Sequence, residues 1–118
     1  MNREELRNIL KESSEVTITV TGRKTKKRFS TPVWFILEGE EKATLVPTKG
    51  SDNDWFKDLV RNPQIELRVG DIAITSKATL VRDSIRVEKI LNEFKAKYKT
   101  MWSESYYTKR DVFVEVPL

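Results

Sequence analysis

The chain has 118 residues, enough for one compact domain and too few for two independent hydrophobic cores. Hydrophobic residues make up 38% and charged residues 34%, which supports a folded core under a strongly charged surface. The sequence holds no cysteine and no histidine, which excludes disulfides, thiol catalysis, Cys/His zinc sites and every mechanism that needs an imidazole base.

Twenty-two Lys plus Arg against eighteen Asp plus Glu give a net charge of +4. That excess favours a phosphate-bearing partner, either a nucleic acid or a phosphorylated cofactor. The longest apolar stretch, Val33 to Leu37, falls far short of the roughly 20 residues of a membrane span, and Met1-Asn2-Arg3-Glu4-Glu5 is no apolar signal region. The expectation is a cytoplasmic protein without a membrane partner.

Leu6, Ile9 and Leu10 lie at helical spacing after a cap at Asn2 and the first-turn acids Glu4 and Glu5, predicting a short amphipathic helix. Val16, Ile18 and Val20 alternate with Thr17, Thr19 and Thr21 as a strand that ends at Gly22. Five of the six residues from Arg23 to Arg28 are Lys or Arg, a repulsive run suited to a hairpin tip. Strand character returns from Phe29 to Leu37, where Pro32, lacking a donor, marks an edge or a bulge.

Ala43 to Val46 reads as a third strand, and Pro47-Thr48-Lys49-Gly50 stops it before a helix capped by Ser51 or Asp52. That helix carries Trp55, Phe56, Leu59 and Val60 on one stripe and ends at Asn62-Pro63. Ile65, Leu67 and Val69 form a strand, Gly70-Asp71 turns, and Ile72 to Val81 returns as its hairpin partner. A long helix from Asp83 or Ser84 to about Lys99 repeats Val87, Ile90, Leu91, Phe94 and Tyr98. After an aromatic linker with Trp102, Tyr106 and Tyr107, the last strand sets Val112, Val114 and Val116 on one side and Phe113 and Glu115 on the other. Six strands and three helices favour a closed or nearly closed barrel with helices outside, over an open α+β sheet.

Two basic features offer phosphate chemistry. Gly22-Arg23-Lys24-Thr25-Lys26-Lys27-Arg28 combines cations, a hydroxyl and a permissive glycine, as a phosphate clamp or as a solvated turn. Lys49-Gly50-Ser51 stands at a strand-to-helix junction whose amides, with the lysine, suit an anion, or simply turn and cap the chain. Trp34, Phe35, Trp55, Trp102, Tyr106 and Tyr107 supply flat apolar surface for a redox ring or a base; Phe35 and Phe56 read as core, and Tyr106 and Tyr107 as pocket lining. Asp52 and Asp54 alternate as in a calcium loop, but its glycine and terminal glutamate are missing, so no metal site is expected.

The segments GRKTKKRFSTPVWF, PTKGSDNDWFKDLVRNP and SYYTKRDVFVEVPL, in this order, resemble the deazaflavin-dependent nitroreductase family, relatives of the pyridoxamine phosphate oxidase-like flavin split barrels. The likeness spans about residues 16 to 82 and 103 to 118. It implies a β-rich α+β fold, a six-stranded antiparallel split β-barrel forming a single cofactor domain. It also implies a phosphorylated cofactor, coenzyme F420 or FMN, and hydride transfer to a nitro, quinone or related acceptor. By this resemblance Arg23, Lys24 and Thr25 surround the phosphate, Gly22 allows the turn, and Pro32 shapes the next strand, which carries Trp34. Lys49 and Gly50 lie beside the ring and phosphate, Trp55 matches the cofactor-site aromatic at the start of the following helix, and Tyr106, Tyr107 and Arg110 close over the acceptor. No catalytic side chain is named, because the cofactor does the chemistry. A homodimer fits the same reading. Its alternatives are a non-catalytic barrel for single-stranded nucleic acid and a split barrel that has lost its cofactor.

Overall fold

The computed structural model describes residues 2–39, 41–99 and 107–118. In chain order the elements are α1 (Asn2–Leu10), β1 (Glu15–Thr21), β2 (Arg28–Glu38), β3 (Lys42–Leu45), a 3-10 turn (Gly50–Asp52), α2 (Asp54–Arg61), β4 (Gln64–Val69), β5 (Ile72–Lys77), β6 (Thr79–Val81), α3 (Ser84–Lys97) and β7 (Phe113–Pro117). The strands form one antiparallel sheet in the order β5-β4-β1-β2-β3-β7-β6. Its two outermost strands are consecutive in sequence, so the sheet curls into a half-barrel until its ends come together. The Ser76 hydroxyl, on β5, donates to the Pro117 carbonyl of β7 at 2.7 Å across that seam.

Here the strand count differs from the expected six. The stretch Ile72 to Val81 is two strands: β5 pairs with β4 and β6 with β7, and between them the Ala78 amide donates to the Pro63 carbonyl at 2.8 Å. Apolar residues continue across the break, so no pattern in the sequence separates a strand that changes partner from one that runs straight.

Strand β2 also serves two partners. Its first half pairs with β1, ending at Trp34 opposite Glu15, and its second half pairs with β3, beginning at Phe35 opposite Leu45. The Gly22 amide donates to the Lys27 carbonyl, so the pairs continuing that parity exchange bonds with β1 through Phe29, Thr31 and Val33. The backbone groups of Ser30, Pro32 and Trp34 therefore face the opposite edge, which β3 does not reach. Of the edge or bulge that the sequence allowed, Pro32 takes the edge, on a side with no strand partner among the described residues, where no donor is needed.

Two apolar clusters hold the molecule. Inside the curl, Val16, Ile18, Leu45, Ile65, Leu67 and Val114 meet Leu6 and Leu10 of α1 and Phe56 and Leu59 of α2. Outside it, Val87, Ile90, Phe94 and Tyr98 from α3 and its end cover Ile36, Val46, Val81 and Phe113. Strand β7 is therefore buried on both faces, with Val112, Val114 and Val116 inward and Phe113 under α3. Glu115 is tolerated in this setting because Lys42 at 2.9 Å and Arg86 at 2.8 Å neutralise it.

Helix α2 starts later than its predicted caps, since the 3-10 turn takes up Ser51 and Asp52 and Asn53 holds the cap position. Val60 is 50% exposed, and Asp58 is buried on the face shared with Trp55 and Leu59. A helix of eight residues buries only one narrow stripe, and i, i+3, i+4 from Trp55 selects Asp58 and Leu59.

Tyr98 fastens the place where β2 changes partner. The Phe35 amide donates to its phenolic oxygen at 3.0 Å, and the hydroxyl proton is shared between the carbonyls of Phe35 at 2.6 Å and Ser14 at 2.8 Å. Burial pushes this phenol up to about 12, against a lowering by the Phe35 bond and with a smaller push from Glu15. Because the folded pKa lies above the unfolded value of about 10, the associated stability is complete below pH 10 and drains away between about pH 10 and 12. Tyr98→Phe leaves a buried amide without an acceptor and is expected to cost about 1–3 kcal/mol in urea unfolding, and to remove that alkaline loss.

Candidate active site

A cleft of about 370 Å³ opens along the unpaired edge of β2. Phe29, Thr31, Pro32, Val33 and Trp34 form one wall, Val46, Thr48 and Lys49 the second, and Asp52, Asn53, Asp54 and Trp55 the end beneath α2, with Glu15 and Tyr107 completing it. Its volume is that of a ligand pocket, and its aromatic walls with a few charged groups fit a planar heterocycle. Trp34 forms a flat shelf: its ring stacks on Tyr98 at 4.4 Å and 4°, and Tyr107 lies 6.2 Å away, tilted by 43°. Phe29 points inward from β2 yet is 51% exposed, because the hairpin extends past the core and leaves this residue over the cleft.

Beyond Phe29 and Asp54, which border both, lies a second hollow of about 440 Å³ at the hairpin tip. Gly22, Arg23, Lys24, Thr25, Lys27 and Arg28 line it together with Asp58. Here the tip is a closed turn: the Lys26 amide donates to the Gly22 carbonyl at 2.9 Å and the Lys27 amide to Thr25 Oγ1 at 3.2 Å. The left-handed residue is Lys26 at φ +62°, not the expected Gly22, whose constraint is space, since a Cβ there would stand 2.8 Å from Thr25 Oγ1.

Arg23 is committed within the protein. Its guanidinium donates to the Asp58 carboxylate at 2.7 Å and to the Asp54 carbonyl at 3.2 Å, and its amide donates to Asp58 at 3.0 Å. Hydrogen bonding to Asp58 raises its pKa, outweighing partial desolvation. The pair pins the tip to α2, and the cations that remain for an outside anion are Lys24 and Lys27, with Arg28 leaning on Glu66 at 3.5 Å.

At the other basic motif the protein supplies its own anion. Asp111 accepts from the Ser51 amide at 2.9 Å and the Ser51 hydroxyl at 2.6 Å, while Lys109 bridges Asp52 at 3.2 Å and Asp111 at 3.8 Å. Desolvation works to raise the Asp111 pKa, but the two Ser51 bonds and Lys109 leave it lowered. Gly50, at φ +55°, does not line the cleft; a Cβ there would collide with Asp111 Oδ1, so the glycine lets the segment 107–111 close onto the 3-10 turn. The Thr108 amide donates to the Thr48 carbonyl at 2.9 Å in the same contact, and Tyr107 is thereby delivered to the cleft.

Of the residues named from sequence, Pro32, Trp34, Lys49, Trp55 and Tyr107 meet in the cleft, and Gly22, Arg23, Lys24 and Thr25 meet in the adjoining hollow. Gly50 supports the site from behind, Arg110 is exposed and lines neither space, and Tyr106 and Trp102 lie outside the described residues. Sequence reasoning missed Glu15, Phe29, Asp58, Tyr98 and Asp111. Tyr98 fitted the helical repeat and read as core, which it also is; the two aspartates carried no signal, because their partners are 35 and 60 residues away.

The family model of the F420H(2)-dependent quinone reductases matches residues 3–117. The chain belongs to this family. It is accordingly a deazaflavin-dependent oxidoreductase whose cofactor is coenzyme F420. Among solved structures, one described as an F420-H2 dependent reductase is 22% identical, with 87% of this chain and 93% of that one covered and a TM-score of 0.62. A domain-swapped dimer is 23% identical over 98% and 96% of the two chains, with a TM-score of 0.65. A candidate pyridoxamine 5'-phosphate oxidase from Listeria innocua is 16% identical over 99% and 94%, with a TM-score of 0.69. These likenesses establish the split-barrel fold. No curated protein matches the chain significantly. Among the described residues no helix is long and apolar enough to cross a membrane.

Gly50→Ala is expected to lower the melting temperature, since it forces alanine into left-handed backbone at a cost of about 1–2 kcal/mol and also drives Asp111 off Ser51. Near-ultraviolet circular dichroism should then report a changed environment for Tyr107.

Proposed function

We propose that the cleft along β2 holds the F420 ring, that the hairpin tip holds its phosphate-bearing tail, and that a quinone-type acceptor takes the hydride. The observation that carries this reading is the edge of β2 beside the Trp34 shelf, which has no strand partner among the described residues. A deazaflavin ring presents fused π faces and an edge of alternating amide donors and acceptors. The shelf offers stacking, and the carbonyls of Ser30 and Pro32 face an edge that no strand among the described residues fills. The residues present therefore fit the group.

When bound, the deazaflavin supplies the hydride. Trp34, kept flat by Tyr98, orients the ring, and Trp55 and Tyr107 keep water from it. Lys49 is the cation within the cleft, and Lys24 and Lys27 stand by the tail, with Thr25 and Gly22 shaping their turn. Arg23 acts on the tail through the tip conformation it holds with Asp58. Tyr106 and Arg110 remain assigned to closure over the acceptor. No protein acid or base is required, in keeping with a chain that has no histidine. The chain works as one cofactor domain in a cytoplasmic setting, and as a homodimer, a reading supported by the dimeric relative.

Titration with F420, followed by its own fluorescence and by tryptophan quenching, tests the assignment. Saturable binding that persists in moderate salt, with quinone-dependent oxidation of the reduced coenzyme, is the expected result. Binding that collapses with salt would instead indicate a nonspecific polyanion site. Lys24→Ala and Lys49→Ala should each weaken F420 about three- to tenfold at unchanged melting temperature. Equal affinities for both variants and the wild type would remove these lysines from the site.

A further inference from the structure

We infer that Glu15 makes this cleft discriminate acceptors by charge, admitting cationic and neutral rings in preference to anionic ones. The inference deepens the functional reading above and rests on it for the nature of the site. Glu15 opens β1 directly opposite Trp34, lines the cleft, and is exposed. Its carboxylate has neither a hydrogen bond nor an ion pair among the described residues. The other two carboxylates of the cleft are engaged, Asp52 with Lys109 at 3.2 Å and Asp54 with Arg23 at 3.5 Å, which leaves Glu15 as the carboxylate without an ion pair among the described residues, with Lys49 as the cation of the second wall.

The neighbours of Glu15 favour the same class of ligand. Trp34 and Tyr107 stand together at this end of the cleft, and the negative faces of aromatic rings attract organic cations. With the F420 ring laid on the Trp34 shelf, an acceptor stacked on that ring meets Glu15 at its rim, which favours a flat cation over a flat anion. The arrangement does not oppose an anionic cofactor tail. From Arg28 at the tip to Trp34 is six residues of extended strand, about 20 Å, or roughly two Debye lengths at physiological ionic strength. The basic hollow and the Glu15 end are therefore electrostatically separate, and the cleft runs from a cationic end for the tail to an anionic end for the acceptor.

N-methylphenazinium and phenazine, nearly the same ring with and without a charge, test this directly on the full chain. Binding without cofactor is read by quenching of tryptophan fluorescence. The wild type should bind the cation about threefold more tightly than the neutral ring at low salt, and the preference should vanish in about 0.5 M salt. Glu15→Gln should abolish the preference, and Glu15→Lys should invert it, each at unchanged melting temperature. In turnover with reduced F420, Glu15→Gln should raise KM for the cation and lower KM for a naphthoquinone sulfonate, with kcat nearly constant. The same charge preference in wild type and Glu15→Gln would overturn the inference. Failure of F420 to bind or turn over would overturn the functional reading instead, while the dye titrations still decide the role of Glu15.

Discussion

The structure turns on the hydrogen bonds that Tyr98 makes where β2 passes from one partner strand to another. At Phe35 the strand has left β1 and joined β3, and the amide and carbonyl that had pointed toward β1 lose their partners. Buried backbone groups without partners are costly, and the phenol of Tyr98 answers both, with Lys97 Nζ donating a second bond to the same carbonyl at 2.9 Å. Without this closure β2 would have no reason to extend as one strand, and the open edge ahead of it would not exist. The same ring that seals the backbone supports Trp34, so stability and ligand shelf share one side chain.

A second constraint comes from the protein's own charges. The basic tip and the Lys49 junction both resemble anion sites, and in both the protein has placed an aspartate where an outside anion was expected. Asp58 takes Arg23, and Asp111 takes the Ser51 amide and hydroxyl. These internal pairs fix loops rather than consume the site: the tip is tied to α2, and the segment carrying Tyr107 is tied to the 3-10 turn. What remains for a ligand is a smaller set of lysines around an aromatic cleft, and one bare carboxylate at its far end. Charge in this protein thus does positional work first and recognition second.

Among the described residues, the cleft is the unfilled half of a strand ladder. A barrel closed on itself would spend all its backbone groups on pairing, whereas here β3 begins one residue after β1 has ended, and the edge of β2 behind that point stays open. Pro32 keeps the edge short of donors, and α2 with the 107–111 segment shields it from another strand. An edge that is open yet sheltered suits a planar ring carrying amide groups, and it explains how a chain without histidine or cysteine supports redox chemistry.

By itself the sequence determined the helices, most of the strands and the family, because apolar period, turn residues and ordered basic and aromatic segments are local properties that survive without coordinates. Val16, Ile18 and Val20 had to face one way, Val87 to Tyr98 had to form one stripe, and Pro32 had to lie at an edge or a bulge. Only the tertiary structure decided that Ile72 to Val81 divides at Ala78, that Asp58 rather than Val60 goes inside, that Gly50 serves Asp111 rather than the ligand, and that Glu15 stands beside Trp34. Each of these depends on partners tens of residues away, and a carboxylate's role is set by which cation the fold brings to it or withholds from it.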